Sequence, residues 1–159
     1  MQGILALGGL SWPCALGKGG ISALKREGDG ATPLARLRVL GVYGRCGGMV
    51  PLRAAMPVTP IGAGLGWCDA PADRNYNRPV ALPYPASHER MRRDDHLYDA
   101  CLVLDWNIRP RLRHRGSAIF AHLARPGYLP TEGCIALSPR DMARILPLIG
   151  TGAEFRVMR

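Results

Sequence analysis

The sequence predicts a mostly β fold of two packed strand layers with one C-terminal helix over about residues 138–149. Three observations predict it. Gly and Pro are frequent, 20 and 14 of 159 residues, which suits many turns between short strands and disfavours a helix bundle. The apolar residues fall in short runs bounded by turn residues. Only one segment combines helical spacing with a helix start signal.

The elements follow in order. Residues 4–7 and 10–16 read as two strands around a Gly8-Gly9 turn. This start reads poorly as a signal peptide, because no basic segment precedes Ile4 and Gly8, Gly9 and Pro13 interrupt it. A glycine-rich loop, Gly28-Asp29-Gly30-Ala31-Thr32-Pro33, leads into a strand over 34–43, where Leu37, Val39 and the Val42-Tyr43 pair suit a sheet. Residues 44–93 are dense in Pro and Gly and read as a long irregular insertion, a feature often tied to function. Residues 97–105 read as a buried strand, and 116–123 as another with His122 near its end. A loop over 124–133 precedes a short extended piece at 134–137. Ser138 is placed to cap a helix, Pro139 suits its first position and Asp141 stands where a capping-box acid would. Met142, Ile145, Leu146 and Ile149 recur at helical spacing, Gly150 ends the helix, and 153–158 read as a last strand.

The length suits one domain spanning 1–159, with a core large enough to fold without disulfide staples. The formal charge of +9 is carried almost wholly by arginine, since Lys18 and Lys25 are the only lysines. Such a surface attracts polyanions or carboxylate-rich substrates, although arginine-rich coding produces the same balance without function. No nucleic-acid-binding signature accompanies the charge, so no nucleic-acid partner is expected. No apolar run is long enough for a membrane-spanning helix. Cys14, Cys46, Cys68, Cys101 and Cys134 are odd in number and form no C-x-x-C pair, which argues against a zinc ribbon or a thioredoxin-like motif. His88, His96 and His114 show no ligand spacing, so no metal and no cofactor are expected.

The chemistry-bearing segment lies between Phe120 and Leu137. Cys134 follows Gly133 at a loop-to-strand junction, and His122 ends the preceding strand. Two β segments joined by such a loop can lie side by side and bring the two side chains together. A free thiol is only a few per cent thiolate at neutral pH, so an adjacent imidazole is what turns it into a nucleophile. Gly133 lets backbone approach a bound carbonyl, and the amides at 133 and 134 are placed to donate to an oxyanion. A buried structural cysteine produces the same spacing, and the spacing alone leaves both readings open.

The run Thr131-Glu132-Gly133-Cys134-Ile135-Ala136-Leu137, followed by a helix-opening Asp, resembles the signature of the L,D-transpeptidase (YkuD-type) catalytic domain. That family shows a His, a loop, then Ser/Thr-His-Gly-Cys-Ile/Val-Arg-Leu/Met. Gly30 to Ala35 looks like the family's Thr-Pro-x-Gly turn. The resemblance covers most of the chain and implies a two-layer β-sandwich of that type. It implies Cys134 as nucleophile, His122 as base, and Thr131 and Gly133 as motif residues. It implies peptidoglycan stem peptides as partners, carbapenems as covalent inhibitors, and the periplasm or cell envelope as location. The chain departs from the pattern at Glu132 (usually His), Ala136 (usually Arg), Ala35 (usually Gly) and in a shorter His–Cys loop, which suggests a divergent branch. The nucleophile and base are retained, while the substrate contacts are altered.

Glu132 can orient a neighbour or bind an amine, and as a solvated loop acid it needs neither role. Arg125 is placed to hold a substrate carboxylate or to stand free on the surface. Tyr76, Asn77 and Arg78, with Asp73 and Arg74, form either part of a substrate groove or a plain polar turn. Tyr98 and Asp99 are expected to line the sheet near the site, and Arg92-Arg93-Asp94-Asp95-His96 to form an ion-paired loop. The implied activity is cysteine-dependent L,D-transpeptidation through a thioester. An L,D-carboxypeptidase or amidase on the same pair, or a silent wall-binding domain, are the other readings.

Overall fold

A computed structural model describes residues 1–159. The chain opens with β1 (Gln2–Leu7) and β2 (Leu10–Ala15), an antiparallel hairpin turning at Gly8-Gly9. β3 (Ile21–Ser22) and β4 (Thr32–Pro33) form a small parallel pair, and β5 (Arg36–Gly44) follows. Next come β6 (Val58–Pro60), β7 (Leu65–Cys68), β8 (Arg78–Ala81) and β9 (His88–Arg90). Then come β10 (Ala100–Leu104), β11 (Phe120–Leu123), β12 (Ile135–Leu137), α1 (Pro139–Ile145) and β13 (Glu154–Arg156). The main sheet runs β1-β2-β12-β11-β10-β5-β13, with β6 also paired to β5. A second sheet has the order β8-β7-β9.

Strand alternation divides the core into two layers. One face of the main sheet carries Leu37, Val39, Leu102, Leu104, Ala121, Leu123, Ile135 and Leu137, and Met142, Ile145 and Leu146 of the helical segment cover it. The opposite face carries Cys101, Val103, Phe120 and Cys134, and the second sheet covers it through Trp67 and Met91. Fully buried Phe120 packs edge-on against Trp67 (centroids 5.1 Å apart) and Tyr98 (5.7 Å). Burying such a ring contributes about 1.5–3 kcal/mol, and each aromatic pair about 0.5–1.5 kcal/mol more.

A bulge in β5 explains why its apolar residues break strict alternation. Val103 faces Gly41 while Leu104 faces Val39, so Leu40 is the extra residue. The shift returns both Val39 and Val42 to the same buried layer.

The helix expectation holds. Ser138 Oγ accepts from the Asp141 N–H (3.1 Å) and donates to the Asp141 carboxylate (2.7 Å), with Pro139 in the first turn. The helix proper ends at Ile145, and one 3-10 turn (Leu146–Leu148) follows. Two expectations need correction. Residues 44–93 are not simply irregular, since they build β6 and the second sheet from strands too short to show a period. The strand expected over 116–123 is confined to Phe120–Leu123, because Gly116 (φ 90°) and Ala118 (φ 51°) leave the extended region.

Candidate active site

β11 and β12 run parallel and adjacent, with His122 in register with Ala136. Cys134 lies two residues before Ala136, so His122 and Cys134 project from the same face. Both line one cavity of about 450 Å³, a size suited to a peptide-like ligand. The connecting segment holds a single 3-10 turn (Pro126–Tyr128) rather than a full crossover helix.

The loop before Cys134 is built by Thr131 and Gly133. Thr131 Oγ1 donates to the Cys134 carbonyl (2.6 Å) and accepts from the Gly133 N–H (3.2 Å). The Thr131 backbone bonds Leu16 and Lys18 beyond the end of β2, which ties the loop to the sheet. Gly133 sits at φ 133°, where L side chains are rare, and a Cβ there would lie 2.8 Å from the Ala31 carbonyl oxygen. Thr32, fully buried, accepts from the Gly17 N–H (2.9 Å). The two sequence motifs therefore meet: the Ala31-Thr32-Pro33 segment backs the Gly133-Cys134 turn.

The Cys134 thiol donates to the Ala118 carbonyl (3.2 Å) and its sulfur accepts from the Phe120 N–H (3.4 Å). The Cys134 backbone N–H has no acceptor in the protein. His122 Nδ1 lies 2.8 Å from the Leu123 carbonyl, which can only accept, so Nδ1 carries the proton and Nε2 the lone pair. Tyr98 stacks edge-on against the His122 ring (5.2 Å), and its hydroxyl donates to Glu89. Burial, then the negative charge of Glu89, pushes the Cys134 thiol up to about 12. Burial pushes His122 down to about 4. At neutral pH the resting pair is thus thiol and neutral imidazole.

The cavity brings together Cys134, His122, Thr131, Glu132, Tyr98 and Arg125. Glu132 is an exposed rim residue paired with Lys18 (2.8 Å). Arg125 is half exposed and lies 3.6 Å from Asp95. Tyr76, Asn77 and Arg78 do not line this cavity. Tyr76 is buried with its hydroxyl donated to Glu27. Buried Asn77 braces the fold: its Oδ1 accepts from Trp67 Nε1 and the Ala118 N–H, and its Nδ2 donates to the Trp106 and Asn107 carbonyls. Arg78 is exposed on β8. All five cysteines are free; Cys46 is exposed and the other four are buried.

The sequence reading missed Lys25, Glu27, Asp69, Glu89 and Ser117 as lining residues. Arg93, read only as part of an ion-paired loop, does bond Asp95 (2.6 Å) and also lines the cavity. With Ala136 where the family pattern has arginine, the guanidinium groups in this cavity, Arg93 and Arg125, come from loops instead.

The sequence model of the YkuD family, the L,D-transpeptidase catalytic domain, matches residues 7–157. The chain belongs to this family. No curated protein and no solved structure matched significantly. The matched range spans the main sheet and the second sheet and includes residues 44–93. No helix is long and apolar enough to cross a membrane.

Proposed function

We propose that this L,D-transpeptidase domain acts on peptidoglycan stem peptides at the cell envelope through a thioester on Cys134. The observation that carries the reading is the common face shared by His122 and Cys134 inside one open cavity. Cys134 attacks the carbonyl of an L-residue at its bond to a terminal D-residue. His122 Nε2 takes the thiol proton as the S–C bond forms, then gives it to the departing amine. The Leu123 carbonyl, rather than a carboxylate, orients the ring. The unpaired Cys134 N–H is free to donate to the oxyanion, while the Gly133 N–H is engaged by Thr131. An amine or water then releases the acyl group, giving a crosslink or a trimmed stem. Arg125 and Arg93 offer guanidinium groups to substrate carboxylates.

The resting thiol is neutral and bonded to Ala118, so activation waits for substrate to displace that contact and bring the imidazole into play. The test is intact mass after incubation with a synthetic stem tetrapeptide and, separately, a carbapenem. Wild type gains an adduct with each, and Cys134→Ala gains none. His122→Ala loses about 10²–10⁴-fold in acylation rate. A wild type that forms no adduct removes this reading and leaves a silent wall-binding domain, and an adduct that survives Cys134→Ala removes it by placing the reaction on another residue.

A further inference from the structure

The Cys134 cavity has a second wall that the acylation chemistry above does not use. Glu27, Asp69, Glu89 and Ser117 line it, contributed by the loop after β3, the end of β7, β9 and the segment before β11. The cations in and around the cavity each have an acidic partner outside this wall. Lys25 Nζ is bound by Asp29 and the Arg26 carbonyl, Arg93 and Arg125 face Asp95, and Lys18 pairs with Glu132 at the rim. None of the three wall carboxylates has a cationic partner within ion-pair distance.

Each acid keeps acceptor capacity in reserve. Glu89 Oε2 accepts a hydrogen bond from the Tyr98 hydroxyl, and Oε1 has no hydrogen-bond partner. Glu27 Oε2 accepts a hydrogen bond from the Tyr76 hydroxyl. Asp69 Oδ1 is buried with no partner. Ser117 points to a ligand independently of the acids. It is 7% exposed, and its Oγ lies beside the Tyr76 hydroxyl but reaches no partner at hydrogen-bonding geometry. A buried hydroxyl without a partner is destabilising unless something else fills its bond. Burial, with smaller contributions from the charges of Asp69 and Glu27, holds the Glu89 carboxyl above its usual range against the Tyr98 hydrogen bond and the Arg93 charge. The acids do not converge as ligands of one metal ion. An ammonium group, with three donors and a positive charge, matches the set.

We infer that Glu27, Asp69, Glu89 and Ser117 form the subsite for the primary ammonium group of an acceptor peptide, which makes the thioester partition toward amine transfer rather than hydrolysis. The inference rests on the thioester reading above. The bound ammonium gives a proton to a wall carboxylate, and the neutral nitrogen attacks the thioester carbonyl. The N–C bond forms, the C–S bond breaks with its electron pair on sulfur, and the second nitrogen proton returns to Cys134 through His122.

The experiment uses the full chain with a stem tetrapeptide as donor and acceptor, and mass spectrometry reads crosslinked dimer against hydrolysed tripeptide. Glu89→Gln keeps an acceptor for Tyr98, and Asp69→Asn is a second variant less packed into the core. Asp69→Asn forms the Cys134 thioester at close to the wild-type rate, Glu89→Gln forms it at least as fast because removing the Glu89 charge eases ionisation of Cys134, and in both the dimer-to-hydrolysis ratio falls about tenfold or more, as expected for a lost charge-assisted bond. An acceptor whose amine is acetylated gives the low ratio with wild type and no further loss with the variants. Unchanged ratios in both variants, with normal acylation, overturn this inference alone. A wild type that never forms the thioester overturns the underlying reading and this one with it.

Discussion

The resting state of Cys134 makes a quantitative prediction about alkylation. An ordinary exposed thiol with pKa ~8.5 is about 10% thiolate at pH 7.5. Cys134, pushed up to about 12, carries a thiolate fraction of about 3 × 10⁻⁵ at that pH, roughly 3,000-fold less. A more basic thiolate is also more nucleophilic, and a Brønsted slope of ~0.4–0.5 over that difference returns about 40-fold. The net expectation is a rate about 10²-fold below that of an exposed thiol, before any steric protection. The assay is iodoacetamide labelling followed by peptide mapping, with exposed Cys46 as internal reference. Steric shielding lowers the rate at every pH alike, so the slope isolates the electrostatic cause. The Cys134 rate rises about tenfold per pH unit from 7.5 to 9.5 without levelling, whereas an exposed thiol levels near its own pKa. Fast labelling at pH 7.5 with a flat profile refutes the reasoning. It would mean that a thiolate–imidazolium pair exists before substrate arrives.

Other outcomes follow from the same geometry. His122 is held at about 4 in the fold against ~6.5 unfolded, so between these values the unfolded chain binds more protons and stability falls as pH drops. About 3 kcal/mol is lost from pH 7 to pH 4 by this group, and urea titrations of His122→Gln show a correspondingly flatter pH profile. Gly133→Ala places a Cβ 2.8 Å from the Ala31 carbonyl at φ 133° and destabilises by about 1–3 kcal/mol or more, read as a lower urea midpoint. Asn77→Ala strands the Trp67 N–H and the Ala118 N–H and costs about 2–4 kcal/mol by chemical denaturation. Because Ala118 holds the Cys134 thiol, the same variant labels faster at Cys134. Thr131→Val removes the bonds to the Cys134 carbonyl and the Gly133 N–H, and acylation falls about tenfold with little change in alkylation rate.

Local signals in the chain determined the parts of this protein whose cause is local. Ser138, Pro139 and Asp141 specify a helix start because capping needs only neighbours in sequence. Gly8-Gly9 between apolar runs specifies a hairpin for the same reason. The Gly133-Cys134 motif and the upstream His122 stand out in the sequence because cysteine and histidine are rare residue types and here follow a recognisable order. Tertiary structure alone decided what surrounds them. Asn77 belongs to a polar turn by sequence, yet four hydrogen bonds to distant residues make it an internal brace, and no local pattern distinguishes the two. The bulge at Leu40 depends on pairing with β10, a strand some sixty residues later in the chain. Glu27, Asp69, Glu89 and Ser117 come from separate segments, and only the packing of the second sheet against the first puts them on one wall with Cys134. The burial that keeps the thiol and imidazole neutral is likewise a property of packing, because desolvation depends on what covers a group and not on the residues beside it in sequence.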